Sequence, residues 1–359
     1  MANIGFLSYW GMGRGLATVT LSYVKMLQGK HNVFILKQGE NEIKDGFKDV
    51  DANITEYPSY RVDPEFFKKW IKTNKLDAVI FNEYNQWDND PVNLVKVTKN
   101  AGAKAYGYLI MERFKPEQTI YYDRIFSPTK TFNKFMRKHK IRNFTYIPFS
   151  LDLKEFDEYI HAVLAERDKI IFFHPAGYGG FKERKNTNAL IDAFNKLNRD
   201  DCELVITTQY DKLALKYGER VKVIRKDLYR DELLEQYFQS DAVVLPSKWE
   251  TIGIPILESL AIGVPVITSD YPPMNEFINH SYNGLLIKGE TTKIDQIEVL
   301  SYNVYVDDLK KQLEVFLNIP FEVRITMRKN ALKEVAEKYD LEKNKKYLLD
   351  FLEEDLKNV

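Results

Sequence analysis

The sequence predicts an α/β protein with two Rossmann-like domains, each built on a doubly wound parallel sheet. Three observations support this prediction. Short apolar runs alternate with amphipathic helical patterns, and the series restarts near the middle of the chain. In addition, the 359 residues exceed one typical domain of about 150 residues. Strands that alternate with helices are typical of βαβ units and therefore of parallel sheets.

The first half of the chain contains six predicted strands. They are the apolar runs Ile4–Ser8, Asn32–Leu36, Asp77–Phe81, Ala103–Ile110, Arg124–Phe126 and Phe144–Ile147. Amphipathic patterns between several of them predict helices at Gly15–Leu27, Pro64–Thr73, Asn93–Ala101 and Thr129–His139. These elements are expected to form a first domain over residues 1–150.

The pattern then restarts with a second set of six strands. They are predicted at Lys169–Phe173, Glu203–Thr207, Val221–Ile224, Ala242–Leu245, Val264–Thr268 and Gly284–Ile287. Helices are predicted between them at Asn186–Leu197, Asp231–Gln239 and Pro255–Ile262. The break lies near Ser150–Arg167, where Pro148 ends a strand and a charged helical stretch follows. We therefore expect a second domain over residues 151–340 and a closing helix within residues 341–359 that can pack back on the first domain.

Composition excludes several classes of protein. The 52 Lys+Arg and 52 Asp+Glu give a formal net charge of zero, which argues against a dedicated nucleic-acid binder. The single cysteine, Cys202, excludes an internal disulfide framework and a multi-cysteine metal site. The longest apolar stretch, Ile252–Thr268, is too short for a membrane span and is interrupted by Glu258. The amino-terminal residues show no signal-peptide pattern, so we expect a cytoplasmic protein.

The most informative segment is residues 246–270, PSKWETIGIPILESLAIGVPVITSD. Parallel sheets bind ligands at the carboxyl ends of their strands, and this loop follows a predicted strand. Pro255 suits the first turn of a helix, whose free amides favour an anion such as a diphosphate. Glu250 and Glu258 would repel phosphate, so we expect them to accept hydrogen bonds from sugar or ribose hydroxyls. The amides belong to Thr251, Ile252, Gly253 and Ile254.

This segment resembles the signature of retaining glycosyltransferases of the GT-B fold, specifically glycosyltransferase family 4. Further similar stretches follow in the expected order, at residues 147–156 (IPFSLDLKEF), 184–194 (RKNTNALIDAF), 237–247 (YFQSDAVVLPS) and 274–287 (MNEFINHSYNGLLI). The resemblance implies a first, acceptor-binding domain that faces a second, donor-binding domain across a cleft. It implies transfer of a sugar from a UDP- or GDP-linked donor to a hydroxyl of a glycan, lipid or small molecule, without a metal or resident cofactor.

The resemblance also implies roles for individual residues. Glu250 would contact hydroxyls of the transferred sugar, and Glu258 would contact the nucleotide ribose. Lys185 would neutralise the diphosphate leaving group, which makes Glu250 and Lys185 the predicted catalytic residues. The turn at Asp227–Leu228 would lie near the base, with Leu228 as a donor contact.

Two departures from the family pattern concern charged positions. The family usually carries a Gly-Arg pair ahead of the lysine, whereas residues 174–185 read HPAGYGGFKERK. Either Arg184 or Lys182 replaces that arginine through a longer glycine loop, or the leaving group is stabilised less strongly. Many members also carry a histidine after a first-domain strand, but Tyr108–Phe114 contains none, which leaves Glu112 as the candidate there.

Two loops of the first domain are further candidates. Gly13 and Arg14 lie in a glycine-rich loop that either approaches the donor phosphates or forms a plain tight turn. Its spacing differs from the dinucleotide fingerprint, which argues against a nicotinamide enzyme. Residues 82–90 (NEYNQWDND) form either an acceptor site or an ordinary surface loop, with Asn82, Tyr84 and Trp87 as the candidate acceptor contacts.

The segment Arg124–Arg142 carries seven Lys/Arg residues and no Asp or Glu.

 Every charged side chain in this segment is therefore basic. With the apolar side chains of Phe132, Phe135 and Met136, this segment is a candidate for contact with an anionic membrane that carries a lipid acceptor. The alternative is a helix whose apolar residues belong to the core and whose basic face is solvated.

The sequence offers no obvious general base. Sugar transfer is therefore expected to proceed on one face, with the leaving phosphate accepting the proton of the acceptor. Two alternatives stay open, namely a nucleotide-sugar epimerase on the same fold and a catalytically idle nucleotide-sugar-binding protein.

Overall fold

The structure is a computed structural model of the chain, and it describes residues 1–11, 15–44, 46–82, 91–111, 114–160, 166–179, 183–209, 217–294 and 299–357. The chain forms two compact units. The first combines Met1–Ser150 with Leu341–Val359, and the second is Leu151–Asp340. Each unit is built on its own parallel sheet, so the predicted fold class is confirmed.

The described residues of the first unit contain seven strands. They are β1 (Asn3–Ser8), β2 (Asn32–Gln38), β3 (Asn53–Tyr57), β4 (Ala78–Asn82), β5 (Lys104–Tyr108), β6 (Arg124–Ser127) and β7 (Phe144–Tyr146). Their order in the sheet is β3-β2-β1-β4-β5-β6-β7, and every pairing is parallel. Strand β3 was not among the predicted strands, because its sequence NITEY is polar and mostly exposed at the sheet edge.

Five helices of the first unit are described. They are α1 (Gly15–Leu27), α2 (Pro64–Thr73), α3 (Pro91–Asn100), α4 (Lys130–Lys138) and α12 (Leu341–Asp355). Helix α12 packs against α1. Its Leu348 and Leu352 are fully buried, and the carboxylate of Asp355 accepts a hydrogen bond of 2.8 Å from the Tyr106 hydroxyl. The end of the chain is therefore part of the first unit.

Helix α4 shows which side chains of the basic segment 124–142 are buried. Thr129 caps the helix, since its Oγ1 accepts a hydrogen bond of 3.0 Å from the Phe132 amide. Phe132 and Met136 lie one turn apart and are fully buried. These two side chains therefore belong to the core and are not available to a membrane surface in this structure. None of the described helices is long and apolar enough to span a membrane.

The described residues of the second unit contain a six-stranded parallel sheet. Its strands are β8 (Ile170–Gly177), β9 (Cys202–Thr208), β10 (Val221–Arg225), β11 (Ala242–Leu245), β12 (Val266–Ser269) and β13 (Gly284–Ile287). Their order is β10-β9-β8-β11-β12-β13. Strand β8 extends four residues beyond the prediction, through a register irregularity between Pro175 and Gly177 that lets a proline sit within the pairing.

The helices of the second unit cover this sheet. They are α5 (Asp157–Ile160), α6 (Thr187–Asn195), α7 (Arg230–Phe238), α8 (Ile254–Ala261), α9 (Met274–Phe277), α10 (Val306–Leu317) and α11 (Phe321–Lys338). An antiparallel hairpin of β14 (Gly289–Lys293) and β15 (Leu300–Val304) precedes α10. The hairpin, α10 and α11 were not among the predicted elements.

Candidate functional site

Three charged side chains meet where β8 and β11 end. Lys185 lies just before α6, and its Nζ atom is 2.7 Å from Oε1 of Glu250, in the loop between β11 and α8. The other carboxylate oxygen of Glu250 accepts a hydrogen bond from Nη1 of Arg184. Lys185 and Glu250 are only 8% and 7% exposed. The structure therefore brings together three of the residues that the sequence predicted, and we call them the Glu250 cluster.

Backbone contacts hold the two loops of the Glu250 cluster together. The amide of Lys248 donates to the carbonyl oxygen of Arg184 at 2.8 Å, and the amide of Lys185 donates to the carbonyl oxygen of Gly179 at 3.2 Å. The side chain of Lys248 also pairs with Glu183, with Nζ and Oε2 separated by 3.2 Å. These bonds join the loop after β8 to the loop after β11, so the positions of Lys185 and Glu250 are fixed by both strands.

The charges of the Glu250 cluster do not cancel. Burial raises the pKa of the Glu250 carboxyl, but the positive charges of Arg184 and Lys185 outweigh burial and lower this pKa to about 2. Glu250 is therefore an ionised carboxylate at neutral pH, able only to accept hydrogen bonds. One carboxylate faces two cations, which leaves the three side chains with one net positive charge.

The amino terminus of α8 lies beside Glu250. Gly253 caps this helix with φ of +93°, a left-handed conformation that favours glycine. A Cβ atom at Gly253 would lie 3.9 Å from Cγ of Glu250 and 3.2 Å from Cδ1 of Ile256. No side chain caps the helix, and Pro255 in its first turn has no amide hydrogen. The amino terminus of α8, the positive end of its dipole, therefore lies beside the carboxylate that the two cations bind.

The four predicted amides follow Glu250 directly along the chain. Thr251, Ile252 and Gly253 are buried, whereas Ile254, the first residue of α8, is half-buried. The amide of Ile256 is already used, because it donates to the carbonyl oxygen of Gly253 at 2.8 Å.

Glu258 belongs to a different charge cluster from Glu250. It lies in the middle of α8 and is 4% exposed. One of its carboxylate oxygens accepts from Nη1 of Arg230, and the other accepts from the Tyr237 hydroxyl at 3.2 Å. Arg230 also pairs with Glu155, with Nε and Oε1 separated by 2.7 Å. Burial and the charge of Glu258 both raise the pKa of Tyr237.

The sequence did not indicate Arg230, Tyr237 or Glu155 as partners of Glu258. The one feature that could have indicated Arg230 is its position at the start of α7, close after the turn that contains Leu228. Leu228 itself is half-buried between β10 and α7. Burial lowers the pKa of Arg230, but Glu258 and Glu155 outweigh burial and raise it above its ordinary value. Arg230 is thus the counter-charge for two carboxylates.

A buried histidine supports the turn that carries Lys185. His174, in β8, is fully buried. Its Nδ1 lies 2.7 Å from the carbonyl oxygen of Val244, which can only accept, so Nδ1 carries the proton. Its Nε2 therefore accepts from the Thr187 hydroxyl, at 2.9 Å. Burial lowers the pKa of His174 to about 4 even though the bond to Val244 opposes this shift, and the charge of Lys185 lowers it further.

Several predicted residues lie outside the described residues. They are Gly13, Arg14, Tyr84, Trp87, Glu112 and Lys182. Asn82 is described, as the last residue of β4, and it is 3% exposed. Its Nδ2 donates to the carbonyl oxygen of Leu16 at 2.6 Å and also contacts Thr20 of α1. The Nδ2 group of Asn82 is therefore used inside the first unit, whereas its Oδ1 is buried without a hydrogen-bond partner among the described residues.

No group of three or more His, Cys, Asp or Glu side chains suited to a metal ion occurs among the residues that the structure describes. The Asp-Asn-Asp triplet at residues 88–90, which imitates a metal motif, lies outside them.

Much of the second unit matches the model of a known protein family. Residues 156–333 match the family model described as glycosyl transferases group 1. These residues are a glycosyl transferases group 1 domain. The group 1 domain contains the whole Glu250 cluster, as well as Arg230, Tyr237 and Glu258.

Two curated relatives are similar to parts of the chain. An uncharacterized glycosyltransferase of Sulfolobus islandicus rod-shaped virus 1 is 25% identical over 172 residues, which cover 45% of this chain and 51% of the relative. An uncharacterized glycosyltransferase of Methanocaldococcus jannaschii is 33% identical over 128 residues, which cover 33% of this chain and 32% of the relative. The chain thus spans about half or less of the length of these relatives.

Solved structures resemble the chain over its full length. A glycosyltransferase from Rickettsia africae superimposes with a TM-score of 0.79 at 15% identity, covering 100% of this chain and 99% of the other. HepE of Anabaena in complex with UDP and glucose gives a TM-score of 0.72 at 13% identity, covering 99% and 100%. At these identities the likeness shows the fold, and the chain has the GT-B fold that its sequence predicted.

Proposed function

We propose that this protein is a glycosyltransferase that moves a sugar from a nucleotide-diphospho sugar to an acceptor hydroxyl. The observation that carries the proposal is the Glu250 cluster at the amino terminus of α8, inside a group 1 domain. Two cations and a helix dipole converge there, at the carboxyl ends of β8 and β11, where parallel sheets bind their ligands.

The net positive charge of the cluster suits the leaving group of such a reaction. When the glycosidic bond to the diphosphate breaks, negative charge develops on the departing phosphate oxygen. Arg184, Lys185 and the amides before α8 are donors already held in place, so they can stabilise this charge without rearranging. In this assignment Arg184 takes the place of the arginine that the related pattern carries earlier in the loop.

Glu250 has two functions in this proposal. Without a donor it holds Arg184 and Lys185 in position through one ion pair each. With a donor bound, its ionised carboxylate accepts hydrogen bonds from hydroxyls of the transferred sugar. Because its pKa is about 2, Glu250 does not supply a proton at neutral pH.

Glu258 is assigned to the ribose of the donor, next to Leu228 near the base. Arg230 and Tyr237 each bond one of its carboxylate oxygens. A carboxylate oxygen accepts more than one hydrogen bond, so a ribose hydroxyl can be added to this arrangement. Arg230 and Tyr237 then fix the orientation in which Glu258 meets the ribose.

The reaction is proposed to retain the anomeric configuration. Glu250 is engaged by two cations, which lowers its reactivity as a nucleophile, and we therefore favour a front-face route. The leaving phosphate oxygen accepts the proton of the acceptor hydroxyl as the new glycosidic bond forms. A covalent glycosyl-enzyme trapped on Glu250 would refute this route.

UDP-sugars are the first donors to test, because HepE was solved with UDP and glucose. GDP-sugars are the second choice. Neither a metal nor a resident cofactor is part of the proposal. The acceptor is assigned to the first unit, through Asn82, Tyr84, Trp87 and Glu112, with Gly13 and Arg14 beside the donor phosphates. A glycan or a lipid-linked sugar fits this assignment, and for the latter the exposed basic side chains of residues 124–142 provide an electrostatic membrane contact.

A thermal-shift panel of UDP-, GDP- and ADP-sugars tests donor binding, because a ligand that binds only the folded state raises Tm. Product analysis with the selected donor then tests the reaction. A transferase releases the nucleotide when an acceptor is present, an epimerase interconverts the sugar nucleotides, and an idle binder does neither. The proposal fails if no nucleotide sugar shifts Tm, or if binding is unchanged in Lys185→Ala. Lys196→Ala, at the exposed end of α6, is the matched control.

A further inference from the structure

A second concave site lies in the second unit, at the other end of its sheet. Arg167 comes three residues before β8, and Ser240 and Asp241 come directly before β11. These two strands are parallel neighbours. The segments that precede them therefore lie together at the amino ends of the strands, opposite to the Glu250 cluster at the carboxyl ends. Eight residues of β8 separate the two ends, a distance of roughly 25 Å at a rise of about 3.3 Å per residue.

Three arginines line this cavity. Arg324 and Arg328, on α11, line it together with Arg167, and its enclosed volume is about 20 Å³, with the rest of the space open to solvent. Arg324 and Arg328 lie four residues apart, on one face of the helix. Asp241 is the one acidic residue in the lining. The lining therefore carries three positive charges and one negative charge, and we call the three arginines the arginine site.

Arg324 is the least satisfied member of the arginine site. It is 9% exposed, and its Nε atom is buried without a hydrogen-bond partner among the described residues. The guanidinium lies 5.8 Å from the centre of the Phe321 ring, which does not supply an acceptor oxygen. Buried donors in folded proteins nearly always have an acceptor. An unpaired donor in a cavity wall therefore points to a ligand that brings one.

The neighbouring polar groups do not supply that acceptor. Oδ2 of Asp241 accepts from the Ile171 amide at 2.9 Å, and the Ser240 hydroxyl donates to the carbonyl oxygen of Tyr237 at 2.7 Å. Burial lowers the pKa of Arg328 to about 10, with Asp241 opposing and Arg167 adding to this shift, so Arg328 remains charged at neutral pH. Arg167 also donates from Nη1 to the carbonyl oxygen of Gln239, which carries no formal charge. The residues that line the cavity therefore carry an excess of two positive charges.

We propose that the arginine site binds a small dianionic oxyanion of the phosphate class, either inorganic phosphate or the phosphate group of a monoester. The planar guanidinium groups match the oxygens of phosphate, to which they donate paired hydrogen bonds. A dianion balances the excess of two charges, whereas a single carboxylate leaves one uncompensated. Such a ligand bridges α11 to the segments that precede β8 and β11. This site is separate from the Glu250 cluster and does not rest on the proposed function.

The test is a calorimetric titration of inorganic phosphate into the full chain, at an ionic strength held constant with sodium chloride. The variants R167Q and R328Q each remove one guanidinium of the arginine site. K329Q removes an exposed charge from the next position on α11 and serves as the matched control. Because phosphate can also bind at the Glu250 cluster, every titration is repeated with K185Q. A parallel titration with methyl phosphate distinguishes a monoester from the free ion by the tighter of the two affinities.

We expect phosphate to bind K185Q and K329Q as it binds the wild type. In R167Q and R328Q its affinity should fall roughly tenfold or more, because each variant loses a charge-assisted hydrogen bond. Crystals soaked in selenate should show an anomalous peak between the three guanidinium groups. The proposal is overturned if phosphate produces no binding heat beyond that of chloride, or if binding survives in R167Q and R328Q. Arg167 is exposed, so R167Q keeps the test decisive should R328Q fail to fold.

Discussion

The Nζ atom of Lys185 lies 2.7 Å from Oε1 of Glu250. The two residues proposed to act on the leaving group and on the sugar therefore bind each other, with Arg184 on the second carboxylate oxygen. Glu250 carries one charge and its partners carry two, so their pairing leaves a positive site that is formed before any donor arrives. Arrangement in advance is what makes fixed charges effective in catalysis, because they need not reorganise during the reaction.

Removal of Lys185 should affect catalysis more than folding. In Lys185→Ala, Glu250 keeps Arg184 as a partner, but the leaving diphosphate loses one cation. We expect kcat/KM to fall roughly 10²- to 10³-fold, the usual effect of removing one donor from a developing charge. Steady-state kinetics with the donor found in the thermal-shift panel measure this. Lys196→Ala should retain full activity, and an equal loss in both variants would contradict the assignment.

The ion pairs of Glu250 should make stability depend on acidic pH. The folded-state pKa is about 2, against an ordinary value of 4.5. Because the folded pKa is depressed, the stabilisation is present above pH 4.5 and is lost as the pH falls toward 2. It amounts to about 3 kcal/mol at most. Urea unfolding of wild type and Glu250→Gln should show a difference in the free energy of unfolding that shrinks over this range. A difference that does not change with pH would contradict the low pKa.

His174 should add a second pH dependence at milder acidity. Its pKa is about 4 in the fold, against an ordinary value of 6.5. Between these values the unfolded chain binds a proton that the folded chain does not, so the free energy of unfolding falls as the pH falls from 6.5 to 4. The full effect is about 3 kcal/mol.

Replacement of His174 isolates this effect. His174→Gln cannot titrate, so its free energy of unfolding should vary less with pH in this window than that of wild type. Thr187→Val removes the hydroxyl that donates to Nε2 and should cost about 1 kcal/mol while raising the donor KM, because the turn after Lys185 loses a support. Identical pH profiles for wild type and His174→Gln would exclude a buried neutral histidine.

A side chain at Gly253 should damage both folding and donor binding. The φ of +93° at this position is unfavourable for alanine, and a Cβ would lie 3.2 Å from Ile256. We expect Gly253→Ala to lower the free energy of unfolding by about 1–2 kcal/mol and to weaken donor affinity. Gly218→Ala is the control, since nothing lies within 4 Å of a Cβ there. If the two variants unfold at the same urea concentration, the turn before α8 does not require glycine.

Local sequence patterns were enough to predict most of the fold. Apolar runs and helical periodicity located the core strands of both sheets, and Pro255 located the first turn of α8. Strand β15 was missed although its Leu300, Tyr302 and Val304 alternate with polar residues, as in a half-buried strand. The polar edge strand β3 and strand β14 were missed because they lack a buried apolar run. Such elements form where a neighbouring strand offers hydrogen bonds, which the local pattern does not record.

For the candidate site, too, the sequence predicted individual residues but not the contacts between them. The resemblance to glycosyltransferase family 4 singled out Glu250, Glu258 and Lys185 individually, and Arg184 was one candidate for the arginine missing from its usual position. It did not reveal that Glu250 pairs with residues 65 and 66 positions earlier. Nor did it reveal the partners of Glu258 or the buried hydrogen bonds of His174. The contacts of Glu250 and His174 depend on the adjacency of β8 and β11, two strands that β9 and β10 separate along the chain. Those of Glu258 join α8 to α7.

The sequence by itself determined the two α/β domains, the order of most of their elements and the proline in the first turn of α8, since these follow from local periodicity and backbone preference. Only the tertiary structure decided which charges compensate each other and which stay unpaired, as at Arg324. The physical reason is that burial and Coulombic attraction act between residues that folding brings together from distant parts of the chain.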